Sequence, residues 1–158
     1  MKSIYRPADF DGLTARLDAL APDSSRQWGR MSPHGAVCHL TDALRLIMGE
    51  RDRTVQFATN RSLGARIKAG LARVYALTSH LPWPKGVPTS GSADQERDGT
   101  QPGDWHEDMT TLLGAMERFR DRGGRDLPPH IMFGPLSSGE WGRWGYRHVD
   151  HHLRQFGA

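Results

Sequence analysis

Four stretches of this chain set apolar residues three and four positions apart between helix start and stop signals, a pattern that points to packed helices. In the first, residues 7–22, Phe10, Leu13, Leu17 and Leu20 line up as one stripe and Pro22 is the stop. The second, 32–49, opens on Ser32, a good N-cap. Pro33 follows at the first helical position, where its missing N–H costs nothing, and Gly49 is the stop. The third, 104–124, has Asp104 and Glu107 at capping-box spacing and an apolar face of Leu112, Leu113, Met116 and Phe119, and it ends on two glycines. The fourth, 137–157, starts on a Ser137–Glu140 capping box and stops at Gly157. The expectation is an all-α fold, a four-helix bundle.

A long excursion separates the second and third of these segments. Residues 61–81 read as partly helical, and "PWPKGVPTSGSADQERDGTQPGD", residues 82–104, has the composition of turns and a long loop. The 158 residues suit one domain spanning 1–158. At 37% hydrophobic the chain lies below most globular proteins and above disordered ones, which fits compact helices plus one polar loop.

The same data narrow the partners. No apolar run approaches the roughly 20 residues of a membrane span. The N-terminus "MKSIYRPADFDG" lacks the apolar stretch of a signal peptide, and the single cysteine, Cys38, forms no internal disulfide. A soluble cytoplasmic protein without a membrane partner is expected. The net charge of +3 comes from scattered arginines rather than a basic stripe, so no nucleic-acid partner is expected.

The histidines carry the chemistry. On a helix, His148 and His152 lie one turn apart and about 40° apart in direction, the spacing by which one helix offers two imidazoles to a metal. His148 with His151 is the fallback pair. Trp141, Trp144 and Gln155 share the stripe, so the pair faces the bundle interior. His39, mid-helix among Ala36, Ala43, Leu46 and Ile47, supplies a third imidazole from a facing helix. Asp42, one turn on, reads either as the acceptor orienting that imidazole or as a helix-surface carboxylate. His34 points away from His39. His80, His106 and His130 read as surface histidines, Lys85 as an exposed loop lysine and Cys38 as a small apolar residue.

These residues resemble the DinB/YfiT-like superfamily of metal-binding four-helix proteins, which place one histidine on the second helix and an H-x-x-x-H pair on the fourth. His39 in "MSPHGAVCHLTDAL" and His148 and His152 in "HVDHHLRQFG" match those positions. The chain is most similar to a branch of unknown function, through Trp28, "PWPKG" at 82–86, "HIMFGPLSSGEWG" at 130–142 and "HVDHHLRQFG" at 148–157. One departure is Ile131, where that branch has proline. The resemblance implies a DinB-like bundle, a divalent metal (zinc or nickel) and a homodimer. It also implies either a thiol transferase using a low-molecular-weight thiol or a hydrolase, with a non-catalytic, stress-related metal-binding bundle as the alternative.

Three imidazoles around zinc leave an exchangeable position that can activate water or a thiol. A pocket is expected to end there, walled by the second and fourth segments and partly roofed by residues 82–104. No general base stands out. The aromatics Trp141, Trp144 and Tyr146 exceed what one bundle core is expected to hold, which also favours a dimer.

Overall fold

The computed structural model describes residues 1–51, 63–87 and 91–158. Over these residues the fold is all-α, with α1 Pro7–Asp18, α2 Pro33–Met48, α3 Leu63–Thr78, α4 Trp105–Arg122 and α5 Ser138–Gln155. A short 3-10 turn, Gly91–Ala93, precedes α4, and the only β-type pairing among the described residues is an isolated bridge between His130 and Gly134. Helix α2 packs along α4, α1 along α5, and α5 also touches α2 and α3, the contacts of a bundle.

Local chemistry accounts for the helix ends. The Ser32 side chain accepts from Gly35 N, Pro33 occupies the first turn, and Gly49 closes α2 in the left-handed region at φ 73°. At α5 the Ser137 hydroxyl accepts from Glu140 N while the Glu140 carboxylate accepts from Ser137 N, a complete capping box. Asp104 caps α4 alone, accepting from His106 N and Glu107 N. Helix α1 ends at Asp18, before the proline expected to stop it.

Thirteen of the sixteen residues of α2 are buried, which makes it the central helix and puts its polar side chains in dry surroundings. Every helix adds to the core around it: Phe10, Leu13 and Leu17 from α1, Leu44 from α2, Leu77 from α3, Met116 and Phe119 from α4, Trp141 and Val149 from α5. Two glycines of α5 allow close approach. A Cβ on Gly145 would lie 2.8 Å from Phe119 and 2.9 Å from Ile4, and one on Gly142 would lie 2.3 Å from the Ser3 hydroxyl. The N-terminal segment therefore rests on α5, with Ile4 N donating to Gly142 O at 3.0 Å.

The excursion after α2 is partly helical as expected, with the sixteen residues of α3 falling inside the stretch 61–81; residues 61, 62 and 88–90 lie outside the described residues. One expectation is corrected. Trp141, Trp144 and Tyr146 are all buried, at 1%, 5% and 7% exposure. Trp141 and Trp144 pack on Phe119, while Lys2 of the N-terminal segment lies 5.3 Å over the Tyr146 ring. One chain houses all three, so the aromatic argument for a dimer falls. No described helix is long and apolar enough to cross a membrane.

Candidate metal centre

Two helices bring three imidazoles together. His39 comes from the middle of α2, and His148 and His152 come from α5, one turn apart. One ring nitrogen of each lies within 4.8 Å of the other two, and the ring centroids are 4.7–5.2 Å apart. His39 is buried, while His148 and His152 are half-buried at the edge of a cavity. The fallback, His151, turns aside and packs between Trp28 and Trp83.

Hydrogen bonds assign the protons on two of the rings. His39 Nδ1 lies 2.8 Å from the Ala93 carbonyl, which only accepts, so Nδ1 carries the proton and Nε2 presents a lone pair to the centre. His152 Nδ1 lies 3.1 Å from Gln155 Oε1, while Gln155 Nε2 donates to the Trp28 carbonyl at 3.1 Å. That second bond sets the amide so that its oxygen faces His152, and His152 Nε2 is again the free lone pair. Gly29, at φ 79°, makes room for this bond: a Cβ there would lie 2.7 Å from Gln155 Nε2.

The third ring tests whether a cation fits. His39 Nε2 and His148 Nε2 face each other at 3.1 Å, and His148 Nδ1 is buried with no hydrogen-bond partner among the described residues. With the proton on Nδ1, two lone pairs oppose each other across 3.1 Å. With the proton on Nε2, Nδ1 is a buried acceptor left unpaired. A cation among the three Nε2 atoms relieves the repulsion. Tetrahedral zinc with bonds of about 2.05 Å holds its nitrogens about 3.3 Å apart, close to the spacing seen.

Burial keeps all three imidazoles neutral, as metal ligands must be. It lowers the His39 pKa from the ordinary 6.5, against a partial opposing effect of the Ala93 carbonyl. It lowers those of His148 and His152 well below 6.5, helped by the charge that neighbouring histidines would carry. His151 falls to about 4 by burial.

A cavity of about 320 Å³ ends on these rings. Its walls come from α2, α3 and α5 and from the 130–133 turn, and Trp83, Pro84, Val87 and Ala93 supply the part drawn from residues 82–104. Trp83 lies 5.9 Å from both His148 and His151.

Other expectations resolve differently. Asp42 neither orients His39 nor faces solvent. It is fully buried, pairs with Arg51, and accepts from Thr100 N and the Thr100 hydroxyl, each at 2.7 Å, so it fastens the chain after Gly91–Ala93 onto α2. His130 is corrected from surface to buried: its Nδ1 accepts from Met132 N and Phe133 N, and its ring stacks on Phe133 at 4.6 Å. No helical periodicity marks such a residue, because its partners are main-chain groups of its own turn. His80 and His106 are exposed as expected. Lys85 lies 5.5 Å over the Trp28 ring.

His34 points away from His39 and meets Asp108 at 2.7 Å, a contact between α2 and α4 that the sequence did not suggest. Asp108 also receives the thiol of buried Cys38 at 3.7 Å. Burial, followed by the carboxylate, pushes that thiol up to about 12. Cys38 thus stays a protonated, inert side chain.

The family model described as "Protein of unknown function (DUF1569)" matches residues 9–158. No curated protein and no solved structure matches the chain.

Proposed function

This chain belongs to the DUF1569 family of proteins of unknown function, and from that premise we propose that His39, His148 and His152 hold one divalent ion, zinc or nickel, at the floor of a substrate pocket. The observation that carries the reading is the pair of Nε2 atoms facing each other at 3.1 Å, in a centre where His39 and His152 each spend the other nitrogen on a protein acceptor. Similarity to the DinB/YfiT-like superfamily supports the same three ligands. A bound ion with three protein ligands supplies an exchangeable position at which water or a thiol becomes a nucleophile near neutral pH.

The chain's own groups do the rest. The Ala93 carbonyl and the Gln155 amide hold two ligand rings in one tautomer, and Trp83 and Trp144 limit water around His148. A metal-dependent hydrolase or thiol transferase is the reading preferred. A metal-binding bundle without turnover is the second, favoured by one observation: no carboxylate lines the cavity among the described residues, so none stands ready as a base.

The test is metal analysis of protein purified without an affinity tag, followed by cobalt titration. One ion per chain is expected, with a tetrahedral cobalt spectrum that His39→Ala, His148→Ala and His152→Ala each abolish. Undiminished cobalt affinity in His39→Ala would overturn the assignment. For activity, the zinc-loaded protein is assayed with a panel of thiols, electrophiles and ester or amide substrates, against His152→Ala. Turnover lost in the variant supports the enzyme, and equal background rates in both favour the non-catalytic bundle.

A further inference from the structure

The cavity above the histidines is lined by nineteen described residues, and none of them is Asp, Glu, Lys or Arg. In a chain that is 25% charged, nineteen described wall residues without an acidic side chain, a lysine or an arginine are a selective feature. Three arginines of the surrounding elements are committed elsewhere, and Lys85, between the wall residues Pro84 and Val87, lies over the Trp28 ring outside the lining. Arg147 donates to the carbonyls of Ser79 and Leu81, Arg73 forks onto Glu140, and Arg51 pairs with buried Asp42. The Tyr75 hydroxyl, the one phenol among the described wall residues, donates to the Pro82 carbonyl at 2.6 Å. What remains facing inward is aromatic and aliphatic surface, above all Trp83, Phe133, Trp144 and Ile47, with the imidazoles at the floor.

We propose that the walls of this pocket select an uncharged, mainly aromatic group over a carboxylate-bearing one, so that the part of an organic ligand held against them above the histidine centre is neutral. The proposal deepens the metal-centre reading and rests on it for what lies at the floor; the selectivity itself comes from the walls. Among the described wall residues a carboxylate moved from water finds no guanidinium or ammonium to replace its hydration. An aromatic ring meets indole and phenyl faces at stacking distances. The volume of about 320 Å³ corresponds to about ten waters, the scale of a two-ring molecule. Thiols that carry several carboxylates fit such a wall poorly. If a thiol binds the centre, it is an apolar one, or its charged groups stay outside the mouth.

The experiment uses indole and indole-3-carboxylate as matched probes, titrated calorimetrically into the full-length protein with and without zinc. Indole is expected to bind metal-free protein about tenfold or more tighter than its carboxylate. The metal-free arm isolates the walls, so failure of the metal assignment, seen in the cobalt titration, leaves this comparison readable. Two variants sharpen it. Ala43→Trp fills the cavity beside His39 and is expected to abolish indole binding. Met132→Lys, at an exposed position on the rim, is expected to narrow the gap between the probes. Circular dichroism and melting establish that each variant is folded. Equal or tighter binding of the carboxylate by wild type, or no binding of indole, overturns the proposal. So does unchanged indole affinity in folded Ala43→Trp.

Discussion

Gln155 is held at both ends of its amide, by His152 through the oxygen and by the Trp28 carbonyl through the nitrogen. Loss of that amide leaves the His152 N–H without its acceptor and the ring free to turn, and outer partners of this kind contribute about 10–100-fold to metal affinity. Gln155→Leu, close in size at this buried position, is therefore expected to weaken cobalt binding by about that factor, with circular dichroism establishing that the variant is folded. Competition titration against a chelator measures it, and an affinity equal to wild type would remove Gln155 from the centre. The pair His148 and His152 was legible in the sequence because its spacing on one helix fixes direction, and His39 because it lies on the apolar face of another. Their acceptors were not: Ala93 lies 54 residues from His39, and nothing in a local pattern announces so distant a carbonyl.

Among the elements, α5 fixes the geometry most tightly. Its start is pinned by the capping box, and its middle is pressed against Phe119 and Ile4 where Gly145 leaves no space. A methyl at 145 gains helix propensity but meets two fully buried neighbours, so overpacking wins and costs about 1–3 kcal/mol. Gly145→Ala is expected to lower the urea midpoint with an unchanged slope, and a midpoint at or above wild type would mean that the N-terminal segment yields easily. The capped ends of α2 and α5 were readable because Ser32, Pro33, Gly49, Ser137 and Glu140 act on backbone within a turn of themselves. For α3 the periodic apolar residues gave no guide to packing. Ile67, Leu71 and Val74 recur at helical steps yet are 53–67% exposed, while Ala76 and Leu77 carry its attachment to the core. Helical spacing states that a face exists, and only the neighbouring helices decide whether it is covered.

For the whole molecule, the buried histidines tie folding to pH. Their pKa values in the folded chain lie below the 6.5 they approach when unfolded, chiefly through burial. Below that value the unfolded chain takes up protons that the folded chain refuses, so stability is fully present above about pH 6.5 and drains away as pH falls. The ceiling is about 1.4 kcal/mol per pH unit for each histidine involved. Protons also compete with a bound ion for the same nitrogens, so the stabilisation by zinc is expected to vanish over the same range. Melting curves from about pH 7.5 to pH 5, with zinc and with chelator, check both effects. A melting temperature that stays level across that range without metal would contradict the burial of three neutral imidazoles.

The two acceptors behind the centre differ in how a genome can reach them. The partner of His152 is a side chain, so a single codon change at 155 removes it, and a change at Gly29 crowds it. The partner of His39 is the main-chain oxygen of residue 93, which every amino acid possesses. No substitution at 93 deletes that oxygen, and only a change that shifts the surrounding chain, such as loss of the Asp42 anchor at Thr100, can withdraw it. Inherited variation at this centre is therefore expected to arise on the α5 side first, with the α2 side preserved by the covalent structure of the polypeptide.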